Sequence, residues 1–238
     1  MKHAIVALIL LSAMGYTGCG ASDRPSGGDP LSGFQQSLGA YEQNDGSGGA
    51  QLFGDSIFTT SDHRIRKQLE SLAAVAIQDH AVGGSVASQI RDQYRSARAQ
   101  KIRTVFMDGG GNDILGNAGD CKGQLTDACR SLIKSVAAVH EEVFAMMRED
   151  GVHQIVFLGC HYPTGWNAGF EQAVDYGYTF VEVACASSAV PCLLVDPRQA
   201  IKNGANLLEW DGVHPNWNGT AVIAQLIWDE MKANGVQP

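Results

Sequence analysis

From residue 50 onward, short apolar runs alternate with longer amphipathic stretches. The runs Gln51-Leu52-Phe53, Ala74-Val75-Ala76-Ile77, Thr104-Val105-Phe106-Met107, Gln154 to Leu158 and Cys192 to Val195 have strand length and predict five short strands. Helix candidates lie between and after them at 62–71, 85–100, 126–150, 169–186 and 218–232. In the third, Leu132, Val136, Val139, Val143 and Met146 fall at helical spacing and make one apolar face. Strand and helix alternating in this way imply βαβ crossovers, hence an α/β domain with a five-stranded parallel sheet covered on both faces. Ligands of such sheets bind at the carboxyl ends of the strands, so chemistry is expected in the loops that follow them.

Residues 1–49 lack this alternation. Lys2 and His3 precede an apolar run from Ala4 to Met14 and then small residues up to Cys19, the form of an export signal over 1–19. The run is too short to span a bilayer as a helix. Tyr16-Thr17-Gly18-Cys19 is similar to a bacterial lipobox, with Tyr16 where Leu is usual, and would place a lipid on Cys19; Cys19-Gly20-Ala21 offers an ordinary signal-peptidase site instead. Both predict a periplasmic or extracellular protein, with membrane contact only through an N-terminal lipid. Residues 20–49 are rich in Gly, Ser, Asp, Asn and Gln and read as a flexible leader, leaving 50–238 as one folded domain.

Composition narrows the class. A hydrophobic content of 45% supports a packed core, while a net charge of −8 and the lack of any Lys/Arg run argue against nucleic acid as a partner. Cys121 and Cys129 bracket a Gly/Asp-containing loop and Cys185 and Cys192 bracket a Ser/Pro turn, so two local disulfides are expected, with Cys160 free if Cys19 carries lipid. Unpaired buried thiols are the alternative, since six cysteines do not by themselves fix a connectivity. No C-x-x-C pair or regularly spaced Cys/His set points to a metal.

Four loops hold unusual residues. In Phe53-Gly54-Asp55-Ser56-Ile57 a strand end runs into a polar pair, where Ser56 is either an exposed nucleophile or a helix cap. The esterase elbow G-x-S-x-G is absent, because Phe58 occupies the place of the second Gly. In Asp79-His80-Ala81-Val82-Gly83-Gly84-Ser85 the glycine pair either offers N–H groups to an anion or makes a tight turn, and His80 reads as a surface or packing residue. Asp108-Gly109-Gly110-Gly111-Asn112-Asp113 sets three glycines beside Asn112, whose amide is a neutral donor suited to an oxyanion; no Lys follows for a P-loop. In Trp210-Asp211-Gly212-Val213-His214-Pro215-Asn216 a carboxylate stands three residues ahead of an imidazole and can orient it. A capped loop or half of a metal site are the other readings, although His153 and His161 have no ligand-like spacing to it.

Ser56, a second-loop glycine, Asn112 and His214, in that order, match the four residues for which the SGNH/GDSL hydrolases are named, and the sequence resembles that family from about Ala50 to its end. The resemblance implies a flavodoxin-like three-layer α/β/α fold, a triad of Ser56, His214 and Asp211, and an oxyanion hole from the Ser56 and Gly84 N–H groups and the Asn112 amide. It implies no metal or organic cofactor. Gly84 matches the family's block better than Gly83, and Asp79 stands where the family commonly has Asn. The implied reaction is hydrolysis of carboxylic esters through an acyl-enzyme. Short acyl esters or carbohydrate O-acetyl esters are favoured, for want of a long apolar lid. An acyltransferase, a lipase or thioesterase, and a non-catalytic glycan-binding surface protein are the alternatives. Asp55 is expected to fix its turn, and Trp166, Trp210 and Trp217 to pack rather than line a cleft.

Overall fold

A computed structural model of the chain describes residues 49–98 and 101–238. The expected export signal, nearly all of the leader and Cys19 lie outside the described residues. The apolar runs pair as parallel strands β1 (Gly49–Phe53), β2 (Ile77–Asp79), β3 (Ile102–Met107), β4 (Gln154–Leu158) and β5 (Cys192–Val195), in the order β2-β1-β3-β4-β5. Helices α1 (Ser56–Ala73), α2 (Ala87–Ala97), α3 (Gly111–Gly116), α4 (Ala118–Cys121), α5 (Asp127–Glu149), α6 (Glu171–Ser187), α7 (Arg198–Asn203) and α8 (Trp217–Ala233) occupy the connections and the C-terminal end. Strand residues alternate between two cores. Leu52, Phe106, Val156 and Leu158 pack under α1 and α8, whereas Phe53, Val105, Met107, Ile155 and Phe157 pack under α2, α5 and α6. The result is the three-layer α/β/α arrangement, in which burial of each such side chain contributes about 1.5–3 kcal/mol.

Local departures from the sequence reading have local causes. The second strand is Ile77–Asp79 rather than 74–77, because α1 closes on Ala74 in left-handed backbone (φ 54°, ψ 38°) before the chain turns into the sheet. Helix α1 already begins at Ser56, and its backbone leaves helical angles at Thr60–His63, so the expected start at 62 marks only its second part. Helix α5 matches the expected span, but its buried face centres on Ile133, Val136, Ala137, His140, Val143, Phe144 and Met147, with Leu132 and Val139 at the margin. Helices α3, α4 and α7 are too short for periodicity to announce them.

Cys121 is bonded to Cys129 and Cys185 to Cys192, with Cα–Cα distances of 5.2 and 5.1 Å, and Cys160 is free. Among the described residues no helix is long and apolar enough to cross a membrane. The chain passes from β1 to β2 on one side and returns through β3 on the other, so the carboxyl ends of β1 and β3 flank a topological switch point.

Candidate active site

Asp55 and Ser56 directly follow β1 at this switch point. Asp55 caps α1 by accepting the Ile57 N–H at 2.9 Å, and its own N–H donates to Asp108 Oδ1 at 2.8 Å. Position 54 must be Gly, because a Cβ there would lie 2.2 Å from Asp108 Oδ1. Gln93 of α2 clasps Gly54 from the other side, accepting its N–H and donating to its carbonyl, each at 2.9 Å. The strand end is thereby satisfied without a further strand.

The loop before α8 brings His214 to Ser56. His214 Nε2 lies 2.9 Å from Ser56 Oγ, and Nδ1 lies 2.5 Å from Asp211 Oδ2. Asp211 Oδ1 accepts the Val213 and His214 N–H groups at 2.9 and 3.0 Å. Burial opposes the Asp211 charge, but the bonds from the His214 ring and these two N–H groups outweigh it and hold the carboxyl below its ordinary range. An ionised Asp211 takes the Nδ1 proton's hydrogen bond and leaves the Nε2 lone pair facing the Ser56 hydroxyl. That is the polarity a general base needs.

The loop that carries Asp211 and His214 is held by the segment after β4. His161 is buried, which lowers its pKa to about 4, and the neutral ring donates from Nε2 to the Val213 carbonyl at 2.7 Å. The Thr164 N–H donates to the Gly212 carbonyl at 2.7 Å and Asn167 Nδ2 to the Asp211 carbonyl at 3.0 Å. Gly212 has φ +70°, and a Cβ on it would meet the Thr164 carbonyl oxygen at 2.1 Å. Sequence reasoning weighed His161 only as a metal ligand. Nothing in its spacing to residues 211–214 signals this tether, which only the fold creates.

The second loop stands beside Ser56. A Cβ on Gly83 would lie 4.0 Å from Ser56 Cβ, whereas one on Gly84, at φ +79°, would meet nothing within 4 Å. Asp79 supports this loop: Oδ1 accepts the Ala81 N–H at 2.9 Å, and Oδ2 engages His63 at 2.7 Å and Arg66 at 3.2 Å. His80 stacks on Phe53. In the third loop Asn112 Nδ2 donates to Asp55 Oδ2 at 3.1 Å and to the Ser85 carbonyl at 3.0 Å. Both amide hydrogens are engaged, so an oxyanion at Asn112 has to draw one away.

Below the serine lie two buried carboxyls. Burial, reinforced by the Asp113 charge and opposed by the Ile57 N–H and His214, raises the Asp55 pKa to about 6. Burial and then the Asp55 charge push Asp108 well above the usual carboxylate range, and its Oδ2 has no hydrogen-bond partner among the described residues. Like charges this close do not both ionise readily.

Ser56 opens on a cleft of about 610 Å³, its mouth included, whose walls are mainly Ile114, Leu158, Pro163, Phe170, Val174 and Val213. Trp166 and Trp210 do not pack as expected: they are 84% and 89% exposed. Their loops are fixed through backbone groups near Asn167 and Asp211, which leaves the rings outside the core. Trp217 is also exposed, with the Arg64 guanidinium 3.4 Å from its ring centroid. Among the described residues no group of three or more His, Cys, Asp or Glu side chains is placed to hold a metal ion.

No family model matches the sequence, and no curated protein matches it significantly. Solved structures do match. A protein described as an SGNH hydrolase from Slackia heliotrinireducens superposes with a TM-score of 0.59 at 18% identity, over 76% of this chain and 97% of its own. A catalytic mutant of an acetylxylan esterase from Geobacillus stearothermophilus gives 0.61 at 16%, over 78% and 94%. A lipase/acylhydrolase from Enterococcus faecalis gives 0.56 at 16%, over 78% and 95%. The chain has the fold of the SGNH/GDSL hydrolases.

Proposed function

We propose that this chain, carrying the SGNH-hydrolase fold, is a serine hydrolase of carboxylic esters. The observation that carries the proposal is the hydrogen-bond line from Ser56 Oγ through His214 to Asp211, at 2.9 and 2.5 Å, opening on an apolar cleft. In this reading His214 Nε2 takes the Ser56 proton as Oγ attacks the ester carbonyl, and Asp211 stabilises the imidazolium. The Ser56 and Gly84 N–H groups and one hydrogen of Asn112 receive the oxyanion; loss of one such donor typically costs about 10²–10³-fold in turnover. His214 then protonates the leaving alcohol, and water repeats the sequence to release the acid.

The apolar walls fit the acyl half of the substrate. Trp166 and Trp210, exposed on the two loops that hold Asp211, offer flat faces on which a sugar ring can stack. These features support short acyl or carbohydrate O-acetyl esters, the class named for the Geobacillus structure. Two disulfides fit the exported location that residues 1–19 call for.

A fluorophosphonate probe tests the nucleophile directly. One equivalent is expected to attach at Ser56, located by peptide mass mapping, and pre-incubation with a small ester is expected to slow it. Attachment elsewhere, or none to the folded protein, would overturn the reading.

A further inference from the structure

Beside the cleft lies a second, apolar chamber of about 490 Å³, its open mouth included, set among β4, α3, α5 and α6. Gly109, Ile114, Gly159, Cys160 and Val174 line both spaces, so the two abut along a common wall. The inner lining is largely apolar, including Ile133, Val136, Ala137, Phe157, Phe180 and Val181, and the Tyr178 hydroxyl in it is already engaged with the Cys160 carbonyl at 3.2 Å. His140 of α5 is 3% exposed, lies edge-on to Phe157, and has no hydrogen-bond partner for either ring nitrogen among the described residues. A Cβ on Gly109 would come 3.4 Å from its Nε2, so the glycines at the foot of α3 leave room beside the ring. Burial lowers the His140 pKa to about 4, and a neutral imidazole presents one N–H and one lone pair. Neither the triad nor the loops that hold it use this residue. Buried polar groups without partners are uncommon and costly, and one in the wall of a chamber points to a ligand that completes it.

We propose that the outer cleft and the inner chamber form one acyl-chain site, in which His140 recognises a hydroxyl carried on the far part of a medium-length acyl chain. The walls fit methylenes, and a neutral hydroxyl can pair with Nε2, the nitrogen beside which Gly109 leaves room, in either tautomer, by accepting from its N–H or donating to its lone pair. A carboxylate would demand a charged ring against burial, and a plain methyl end leaves both nitrogens unpaired. The inference goes beyond the short acyl groups of the esterase reading to a second, longer class of acyl chain at the same serine, and rests on that reading only in assigning the chain's carbonyl end to Ser56.

Binding and turnover are tested separately. Ser56→Ala protein carrying ¹⁵N-labelled histidine is titrated with methyl octanoate and with methyl hydroxyoctanoates bearing the hydroxyl at successive carbons. The ring resonance missing in His140→Leu is expected to respond to one hydroxylated chain about tenfold more tightly than to the plain chain, the worth of one buried hydrogen bond. Wild-type turnover of the matching p-nitrophenyl esters is expected to show the same preference, and His140→Leu to reverse it. Val136→Phe, which narrows the chamber from the same helix, is expected to abolish any gain in kcat/KM from butyrate to octanoate. A His140 resonance unmoved by every chain, or a hydroxyl preference that survives in His140→Leu, overturns the proposal. If His140 responds but no ester is turned over through Ser56, the chamber stands and the esterase reading falls.

Discussion

Asp55 caps α1 through the Ile57 N–H and yet shares a buried site with Asp108, so one side chain is asked both to accept hydrogen bonds and to tolerate a neighbouring acid. Its folded pKa, raised to about 6 from an ordinary 3.8, makes a stabilising contribution that is complete below the unfolded value and lost as pH rises through the folded one. Asp108, also raised by burial and then by the Asp55 charge, acts in the same sense. Replacing Asp108 by Asn keeps an acceptor for the Asp55 N–H and removes one titrating group. Asp108→Asn is therefore expected to flatten the fall in melting temperature as pH rises above the ordinary carboxylate value of 3.8, measured by scanning calorimetry; a wild-type-like slope would contradict this. His161 is the second residue-scale case. His161→Phe removes the donor to the Val213 carbonyl, and turnover is expected to fall about tenfold or more through misplacement of His214, with KM little changed. The turn role of Asp55 was legible from a polar residue between strand and helix. Asp108 and His161 were not, because an acid in a glycine run and a lone His after a strand look the same whether buried or exposed.

The element that most constrains the site is the loop from Asp211 to His214, which is clamped to the β4–α6 connection through Thr164, Asn167 and His161. Gly212→Ala puts a Cβ into the Thr164 carbonyl at a left-handed position, and a loss of about 1–3 kcal/mol is expected together with a fall in kcat. Parallel denaturation and rate measurements check it, and a stable, fully active variant would show that the clamp is dispensable. The sequence announced this loop through its Asp-x-x-His spacing, and the strands through apolar runs such as 154–158 and 192–195. It misplaced β2 because Val75 and Ile77 are both buried, and the apolar letters do not show that left-handed Ala74 comes between helix and strand. The engagement of Asn112 by Asp55 and Ser85 was likewise hidden, since it joins three loops distant in sequence.

Across the whole molecule, the order β2-β1-β3-β4-β5 gathers four sequence-distant loops at the carboxyl ends of the strands, which is why weak local motifs combine into one site. The inner chamber had no counterpart in the sequence, because His140 falls on the helical face that periodicity assigns to the core. The disulfides act on the molecule as a unit. Converting Cys185 and Cys192 together to Ser frees a link of sequence separation 7 between α6 and β5, and a loss of about 2–3 kcal/mol is expected, or about 5–10 °C in melting temperature. An unchanged melting temperature in oxidised protein would argue that the bridge carries no stability. The most direct test of the central claim is p-nitrophenyl acetate hydrolysis by the wild-type protein beside Ser56→Ala. The account predicts saturable turnover that falls at least about a thousandfold in the variant while its melting temperature is kept. A variant that hydrolyses the ester as fast as the wild type would contradict Ser56 as the nucleophile and, with it, the function proposed for this fold.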